Sequence, residues 1–182
     1  MFLGKNYWRA KRNKFLLESV SFPENGNLLD LSCGDGKLLN SIHNLKSKLN
    51  LFGVDISKGD IELAASENPT INFQQSEANN LPFENNIFDV VICAMSLHHY
   101  QDFSLVLAEI KRVLKDSGEV YFMDIIPANI VTQKFYNALG CHEPYHFEKF
   151  YTSNEIEEMM DEFKVRSRRS SRTSVAFRIE LI

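Results

Sequence analysis

The feature that most constrains the fold is an alternation of five short apolar segments with segments of helical periodicity. The apolar segments read LLDL, LFGVDI, INFQQ, FDVVICA and EVYFMDII, and they predict a mostly parallel sheet covered by helices on both faces. Two further strand-like segments, FKVRSRRS and TSVAFRIELI, close the chain with too few residues between them for a parallel crossover. We therefore expect a doubly wound α/β sheet of seven strands, mostly parallel, with one antiparallel strand near the C-terminal edge.

The composition excludes several classes of protein. Hydrophobic residues make up 44% and charged residues 24% of the chain, which is typical of a globular protein and not of a disordered one. The net charge of −4 argues against a general affinity for nucleic acid or acidic membranes. Three scattered cysteines, Cys33, Cys93 and Cys141, indicate a reducing compartment. With no secretory signal and no run long enough to span a bilayer, we expect a cytoplasmic protein without membrane contact.

The stretch NLLDLSCGDGKLL joins the first strand to a helix through small residues, Ser32, Gly34 and Gly36. Such a loop lets a ligand approach the backbone, and the helix after it presents free N–H groups to an anion. The dinucleotide fingerprint would need a third glycine where Leu39 stands. The nearby Asp30 would oppose a pyrophosphate, but it suits a ligand that carries an ammonium group beside a carboxylate, such as an amino-acid moiety.

Two more acids follow the next two predicted strands. Asp55 ends the second strand at about the offset from which a carboxylate reaches a ribose diol in this architecture. Glu77 follows the third strand, where it can accept a hydrogen bond from the exocyclic amine of adenine. The three acids thus suit an ammonium group, a ribose and an adenine, in the order of the strands that they follow. S-adenosylmethionine carries these three groups.

Four segments resemble those of class I S-adenosylmethionine-dependent methyltransferases, in the UbiE-like subgroup typified by the ubiquinone/menaquinone-biosynthesis enzymes. They are LLDLSCGDGKLL, GVDIS, SEANNLPFENNIFDVVICAMSLHHY and EIKRVLKDSGEVYFMD, in family order between residues 28 and 124. The resemblance implies a Rossmann-like domain spanning 1–182, with an N-terminal helix in 1–25, a cofactor-binding core in 26–128, and substrate-side helices with a closing strand hairpin in 129–182.

The resemblance also implies the role of each cofactor-binding residue. At the methionine end it implies Asp30, Ser32, Cys33, Gly34 and Gly36, with Asp30 holding the amino group. At the ribose and adenine it implies Asp55, Ile56, Glu77 and Ala78, and near the sulfonium Ala94 and Met95. Ser32 replaces the family's usual first glycine, and we expect this small-for-small change to be tolerated. In KDSG, which replaces the usual KPGG, we expect Gly118 to cap the preceding helix in a left-handed conformation.

The candidate catalytic bases are His98 and His99, which follow the fourth strand, and Tyr136, which follows the fifth. For the two histidines, loop packing and contact with substrate or cofactor both remain open. A metal role would need a third ligand that the sequence does not offer, so we expect no metal. Cys33 is not expected to act as a nucleophile, because the family commonly carries a cysteine in this loop.

Two C-terminal features allow more than one interpretation. A basic cluster contains Lys164, Arg166, Arg168, Arg169, Arg172 and Arg178, and simple alternation would place the first three on one strand face. It is either a charged edge strand or a contact for RNA or an acidic substrate.

An aromatic loop contains Tyr136, Tyr145, His146, Phe147, Phe150 and Tyr151. It is expected to cover the substrate, with a dimer contact and ordinary packing as alternatives.

The leading hypothesis is an enzyme that transfers the methyl group of S-adenosylmethionine to a small-molecule acceptor by in-line displacement. The alternatives are a cofactor-binding sensor or partner subunit with weak catalysis, and a methyltransferase acting on RNA or protein. Nucleic acid is not the expected partner, and both a monomer and a homodimer remain open.

Overall fold

The computed structural model describes residues 3–125, 127, 131, 133–134, 149–160, 163–170 and 175–181. The helices are α1 (Leu3–Leu17), α2 (Lys37–Leu45), α3 (Lys58–Glu67), α4 (Phe103–Val113) and α5 (Ser153–Met159), with a 3-10 turn at Leu97–His99. The strands are β1 (Gly26–Leu31), β2 (Leu49–Asp55), β3 (Asn72–Gln75), β4 (Phe88–Ala94), β5 (Leu114–Asp124), β6 (Phe163–Ser170) and β7 (Val175–Leu181). None of the helices in these ranges is long and apolar enough to cross a membrane.

The strands form one sheet in the order β3-β2-β1-β4-β5-β7-β6. Strands β1 to β5 pair in parallel, and β7 runs antiparallel to both β5 and β6. The predicted mostly parallel, doubly wound sheet with an antiparallel strand near the C-terminal edge is therefore confirmed. The strand order reverses between β1 and β4, so a crevice opens at their carboxyl ends, where α/β sheets bind ligands.

Apolar side chains bury both faces of the sheet. On one face, Leu28 of β1 and Ile92 of β4 pack in a cluster with residues from α1, α2 and α3. On the other face, Leu29 and Val91 pack with residues of α4 and α5. Successive residues of a strand point to opposite faces, so central strands covered on both sides become continuous apolar runs. This is why the sequence patterns of β1 and β4 are so easily recognised.

The turn after α4 differs from its prediction. Helix α4 ends at Val113 and the chain enters β5 at once, because Leu114 already has an extended backbone. Gly118 therefore lies within β5, and it is not among the residues with positive φ. A Cβ atom at Gly118 would lie 2.7 Å from the Leu114 side chain. Gly118 thus allows the Leu114 side chain to pack against the backbone, and the predicted left-handed cap is wrong.

The C-terminal strands form the expected hairpin, but the basic cluster does not follow simple alternation. The register of β6 against β7 shifts between Val165 and Ser167, so the inference that the first three basic residues share one face does not hold. Arg178 forms an ion pair with Glu119 of β5. The predicted helix at 129–139 and the loop residues Tyr136, Tyr145, His146 and Phe147 lie outside the described residues.

Candidate functional site

A crevice of about 280 Å³ lies at the carboxyl ends of β1, β4 and β5. Six of the residues predicted to bind the cofactor line it: Asp30, Ser32, Cys33, Gly34, Ala94 and Met95. Helix α1 contributes the opposite wall through Arg9, Arg12 and Asn13. A wider depression of about 740 Å³ between α1 and α2 contains none of the predicted site residues, so the strand-end crevice is the candidate site.

Asp30 is the most unusual group in the crevice. Its side chain is only 2% exposed, and we find no hydrogen bond or ion pair to its carboxylate among the described residues. Burial, and after it the negative charge of Asp55, raises the pKa of Asp30 to about 7. A buried carboxylate without a partner is costly to the fold, so its presence beside a crevice indicates a site for a cation.

The two loop glycines have different functions. Gly34 has a φ of +52°, and a Cβ atom built there would meet no atom within 4 Å, so it keeps the crevice side of the loop open. Gly36 has a φ of +73° at the start of α2, and its Cβ atom would lie 2.9 Å from the Phe73 ring and 3.0 Å from Cβ of Ala64. Gly36 thus permits helix packing, and it is not among the residues that line the crevice.

Asp55 holds the glycine loop in place. Its Oδ2 accepts a hydrogen bond of 2.8 Å from the backbone N–H of Gly34, and its Oδ1 accepts one of 2.9 Å from that of Ser57. Each carboxylate oxygen retains accepting capacity for a further donor such as a ribose hydroxyl. The contact with Gly34 couples the second strand end to the first, which sequence alone did not show.

Ser32 adopts a backbone conformation that favours glycine, with a φ of 69°. Its hydroxyl lies 2.8 Å from that of Tyr100, which also donates to Ser96 at 3.1 Å. This polar network offsets the strain of a non-glycine residue at the family's glycine position. Cys33, the next residue, is buried, and burial is the main cause of the raised pKa of its thiol. A thiol held protonated is a poor nucleophile.

The residues predicted to bind adenine lie outside the crevice. Ile56 is 67% exposed, Glu77 is exposed, and Ala78 is half-buried against the core. The Gln75 side chain donates a hydrogen bond of 3.0 Å to the carbonyl of Ile56, which links the ends of β2 and β3. These residues form an open surface beside Asp55, and the structure does not bring them into one enclosed pocket with Asp30.

Of the candidate bases, His98 has the best-defined surroundings. Its Nδ1 lies 2.7 Å from Oδ1 and 2.9 Å from Oδ2 of Asp124, the last residue of β5. Phe150 stacks on the His98 ring at a centroid distance of 4.9 Å, and His99 tilts against it at 4.0 Å. His98 is buried and does not line the crevice. Tyr136 lies outside the described residues.

Sequence reasoning missed two parts of the site. Asp124 could have been found, because it ends a parallel strand as Asp55 does, and Asp30 lies one residue before the end of β1. The wall formed by α1 could not, because nothing in YWRAKRNK indicates where the helix lies against the sheet. Arg9 of that helix forms an ion pair of 2.6 Å with Asp35 in the glycine loop.

Known proteins similar to this chain are methyltransferases. The family model described as "Methyltransferase domain" matches residues 29–122. The chain is 32% identical over 108 residues to a phthiotriol/phenolphthiotriol dimycocerosates methyltransferase of Mycobacterium ulcerans, covering 58% of this chain and 40% of that protein. It is 30% identical over 132 residues to the demethylmenaquinone methyltransferase of Chlorobaculum parvum, covering 72% of this chain and 54% of that protein. The chain thus spans about half the length of these curated relatives, or less.

Among solved structures, the YcgJ protein of Bacillus subtilis superposes with a TM-score of 0.77 at 19% identity, covering 93% of this chain and 97% of that one. At this identity the likeness shows the fold alone. Because the family model covers half of the chain, the chain belongs to the methyltransferase domain family. Within that family the relatives support a UbiE-like class I S-adenosylmethionine-dependent methyltransferase, with S-adenosylmethionine as the cofactor.

The crevice fits this cofactor. Asp30 is a buried, unpaired carboxylate that suits an ammonium group, and Gly34 leaves space beside the loop backbone. The crevice volume of about 280 Å³ is available to the methionine moiety. The open surface beyond Asp55 is available to the larger adenosine half.

Proposed function

We propose that this chain transfers the methyl group of S-adenosylmethionine to a small-molecule acceptor. The observation that carries the proposal is the crevice that joins the unpaired Asp30 to Ala94 and Met95 at the end of β4. The relatives named for demethylmenaquinone and for phthiotriol dimycocerosates support a small organic acceptor. No observation on the described residues favours a sensor, a partner subunit, or an enzyme acting on RNA or protein.

The residues that hold the methionine end are Asp30, Ser32, Cys33 and Gly34. Asp30 binds the ammonium group, and Gly34 lets the loop backbone approach the ligand without a side chain in the way. Ala94 and Met95 lie beside the sulfur. Met95 is held in a left-handed backbone conformation, with a φ of 61°, by a hydrogen bond of 2.7 Å from its N–H to the carbonyl of Met123. Backbone strain of this kind is common where a ligand must be positioned.

The residues that hold the adenosine half are Asp55, Ile56, Glu77 and Ala78. Asp55 accepts hydrogen bonds from the ribose hydroxyls, Ile56 packs on the adenine face, and Glu77 with the backbone of Ala78 reads the adenine edge. The high exposure of Ile56 supports this role, because a large aliphatic side chain at a strand end is otherwise left in water.

When bound, the cofactor would supply a methyl group on a cationic sulfur: the acceptor would bond to the methyl carbon in line as the carbon–sulfur bond breaks, with S-adenosylhomocysteine as the leaving group. The protein's contribution is to align the acceptor and to exclude water from the crevice. Where the acceptor must lose a proton, His98 is the candidate base, because it follows β4 shortly after Ala94 and Met95, although its buried ring is not among the residues that line the crevice. Nδ1 of His98 is engaged by Asp124, so Nε2 is the ring nitrogen that is left to accept a proton. His99 and Tyr136 remain secondary candidates.

Calorimetry with S-adenosylmethionine and S-adenosylhomocysteine tests cofactor binding directly, with Gly34→Val as the non-binding control. Incubation with fractionated small metabolites, and in parallel with RNA and protein, then measures formation of S-adenosylhomocysteine above slow hydrolysis. Turnover with a metabolite fraction is the expected result. Binding without turnover in any fraction would indicate a sensor, and turnover with RNA or protein alone would contradict the small-molecule acceptor.

A further inference from the structure

The basic side chain of Arg12 faces the candidate crevice without a polar partner. It is half-buried on α1, and its Nε is shielded from solvent with no hydrogen-bond partner. We find no hydrogen bond or ion pair to Arg12 among the described residues. Withdrawing the Nε–H donor of a guanidinium from water without a replacement is unfavourable. The side chain is therefore arranged for a partner that lies in the crevice.

The neighbouring arginine on the same helix differs in this respect. Arg9 donates to Asp35 at 2.6 Å, and Lys37 contacts the same carboxylate at 2.5 Å. The contact of Arg9 ties α1 to the glycine loop, and Arg12, one turn further along, lines the crevice. Arg9 thus fixes the position of α1, whereas Arg12 is left without a partner within the described residues.

The charges across the crevice are complementary to an amino acid. Asp30 lies at the end of β1 with no cationic partner, and Arg12 faces the same crevice from α1 with no paired carboxylate. Asp30 is affected by burial and then by the charge of Asp55, and Arg12 by burial, then by the charge of Arg9 and least by that of Asp124. The acid and the base are therefore not neutralised by each other, and each is available to one end of a zwitterion.

We propose that Arg12 binds the carboxylate of the cofactor's methionine moiety while Asp30 binds its ammonium group. This assignment rests on the proposed function and adds a specificity-determining residue from α1, outside the region that the family model matches. A guanidinium suits the task, because its planar donors can engage both oxygens of a carboxylate. The helix thereby selects ligands that carry the complete amino acid.

Decarboxylated S-adenosylmethionine, which keeps the ammonium and the sulfonium but lacks the carboxylate, provides the sharpest test. We expect Arg12→Met to weaken S-adenosylmethionine binding roughly ten- to a hundred-fold in calorimetry, and to leave binding of the decarboxylated compound unchanged. Asp30→Asn should weaken both ligands, and Arg12→Lys should recover part of the loss. Lys14→Met, an exposed substitution on the same helix, is the matched control and should bind both ligands as the wild type does.

Two outcomes would overturn the assignment of Arg12. One is an Arg12→Met variant that binds S-adenosylmethionine as tightly as the wild type. The other is an equal loss for both ligands, which would show that Arg12 only supports the structure. A wild-type protein that binds neither ligand would instead refute the proposed function, and the assignment with it.

Discussion

The carboxylates of Asp30 and Asp55 lie near the carboxyl ends of two adjacent parallel strands, close enough for the charge of Asp55 to act on Asp30. Asp30 is nearly inaccessible, and Asp55 is tied to the backbone of Gly34 and Ser57. Burial and the charge of Asp55 together raise the pKa of Asp30 to about 7. A cationic group placed against Asp30 would relieve both effects. The relationship between these two acids therefore links ligand binding, pH and stability.

Cofactor affinity should depend on pH through Asp30. With a pKa of about 7, Asp30 becomes protonated as the pH falls from 7 to 5.5, and the neutral acid no longer attracts an ammonium group. The α-amino group of the ligand stays charged in this range. Calorimetry with S-adenosylhomocysteine should show affinity falling roughly ten-fold over this interval. Asp30→Asn should bind weakly at both pH values, and an equal pH dependence in that variant would contradict the assignment.

The same buried acid should lower the stability of the ligand-free protein. Because the folded-state pKa of about 7 exceeds the ordinary value of 3.8, the folded protein binds this proton more tightly than the unfolded chain. The contribution of Asp30 to stability therefore falls as the pH rises from about 4 to about 7, and stays low above that. Asp30→Asn should raise the free energy of unfolding at pH 8 by up to a few kcal/mol, and by less at pH 5.

Urea denaturation at both pH values, without ligand and with unchanged m-values, measures this difference. Asp116→Asn, which changes an exposed carboxylate in β5, is the matched control and should leave the stability profile unaltered. A variant at position 30 that is less stable than the wild type at pH 8 would show that the carboxylate contributes a contact that outweighs its burial.

Alanine should act differently at the two loop glycines. At Gly34 the new Cβ meets no neighbour, so the stability loss should be limited to about 1 kcal/mol from the left-handed backbone, while cofactor affinity falls. At Gly36 the Cβ would press on Phe73 and Ala64, so stability should fall by about 1–3 kcal/mol or more. Thermal unfolding and calorimetry on both variants separate these effects. A Gly34→Ala protein with full affinity would place the ligand elsewhere.

Asp55 should prove to have a double role. Asp55→Ala removes the acceptor for two backbone N–H groups as well as the proposed ribose contact, so both stability and affinity should fall, with about 1–3 kcal/mol lost in unfolding. Asp55→Asn keeps one acceptor oxygen and should recover part of the stability. Binding of 5′-methylthioadenosine, which lacks the amino acid, should weaken in both variants but remain unchanged in Arg12→Met. Undiminished binding in Asp55→Ala would exclude the ribose assignment.

Much of the sheet could be predicted because its signals are local. The buried strands β1 and β4 are continuous apolar runs, and the short link between β6 and β7 allows only a hairpin. The capping box that Thr152 and Glu155 form at the start of α5 is likewise a local signal, because its two residues lie three positions apart. Gly118 was misread because a helix cap and a close packing contact both require a glycine, and only the neighbouring Leu114 side chain distinguishes them.

By itself the sequence determined the order of the elements and the acids that end the first two strands, since side-chain periodicity and strand termination depend on neighbouring residues. Only the tertiary structure decided which residues meet across the crevice. Arg12 faces the end of β1 because α1 packs on the sheet through Leu16 and is tied to Asp35 by Arg9. Asp124 meets His98 because β5 lies beside β4. Such contacts depend on the packing of distant segments, which no local pattern encodes.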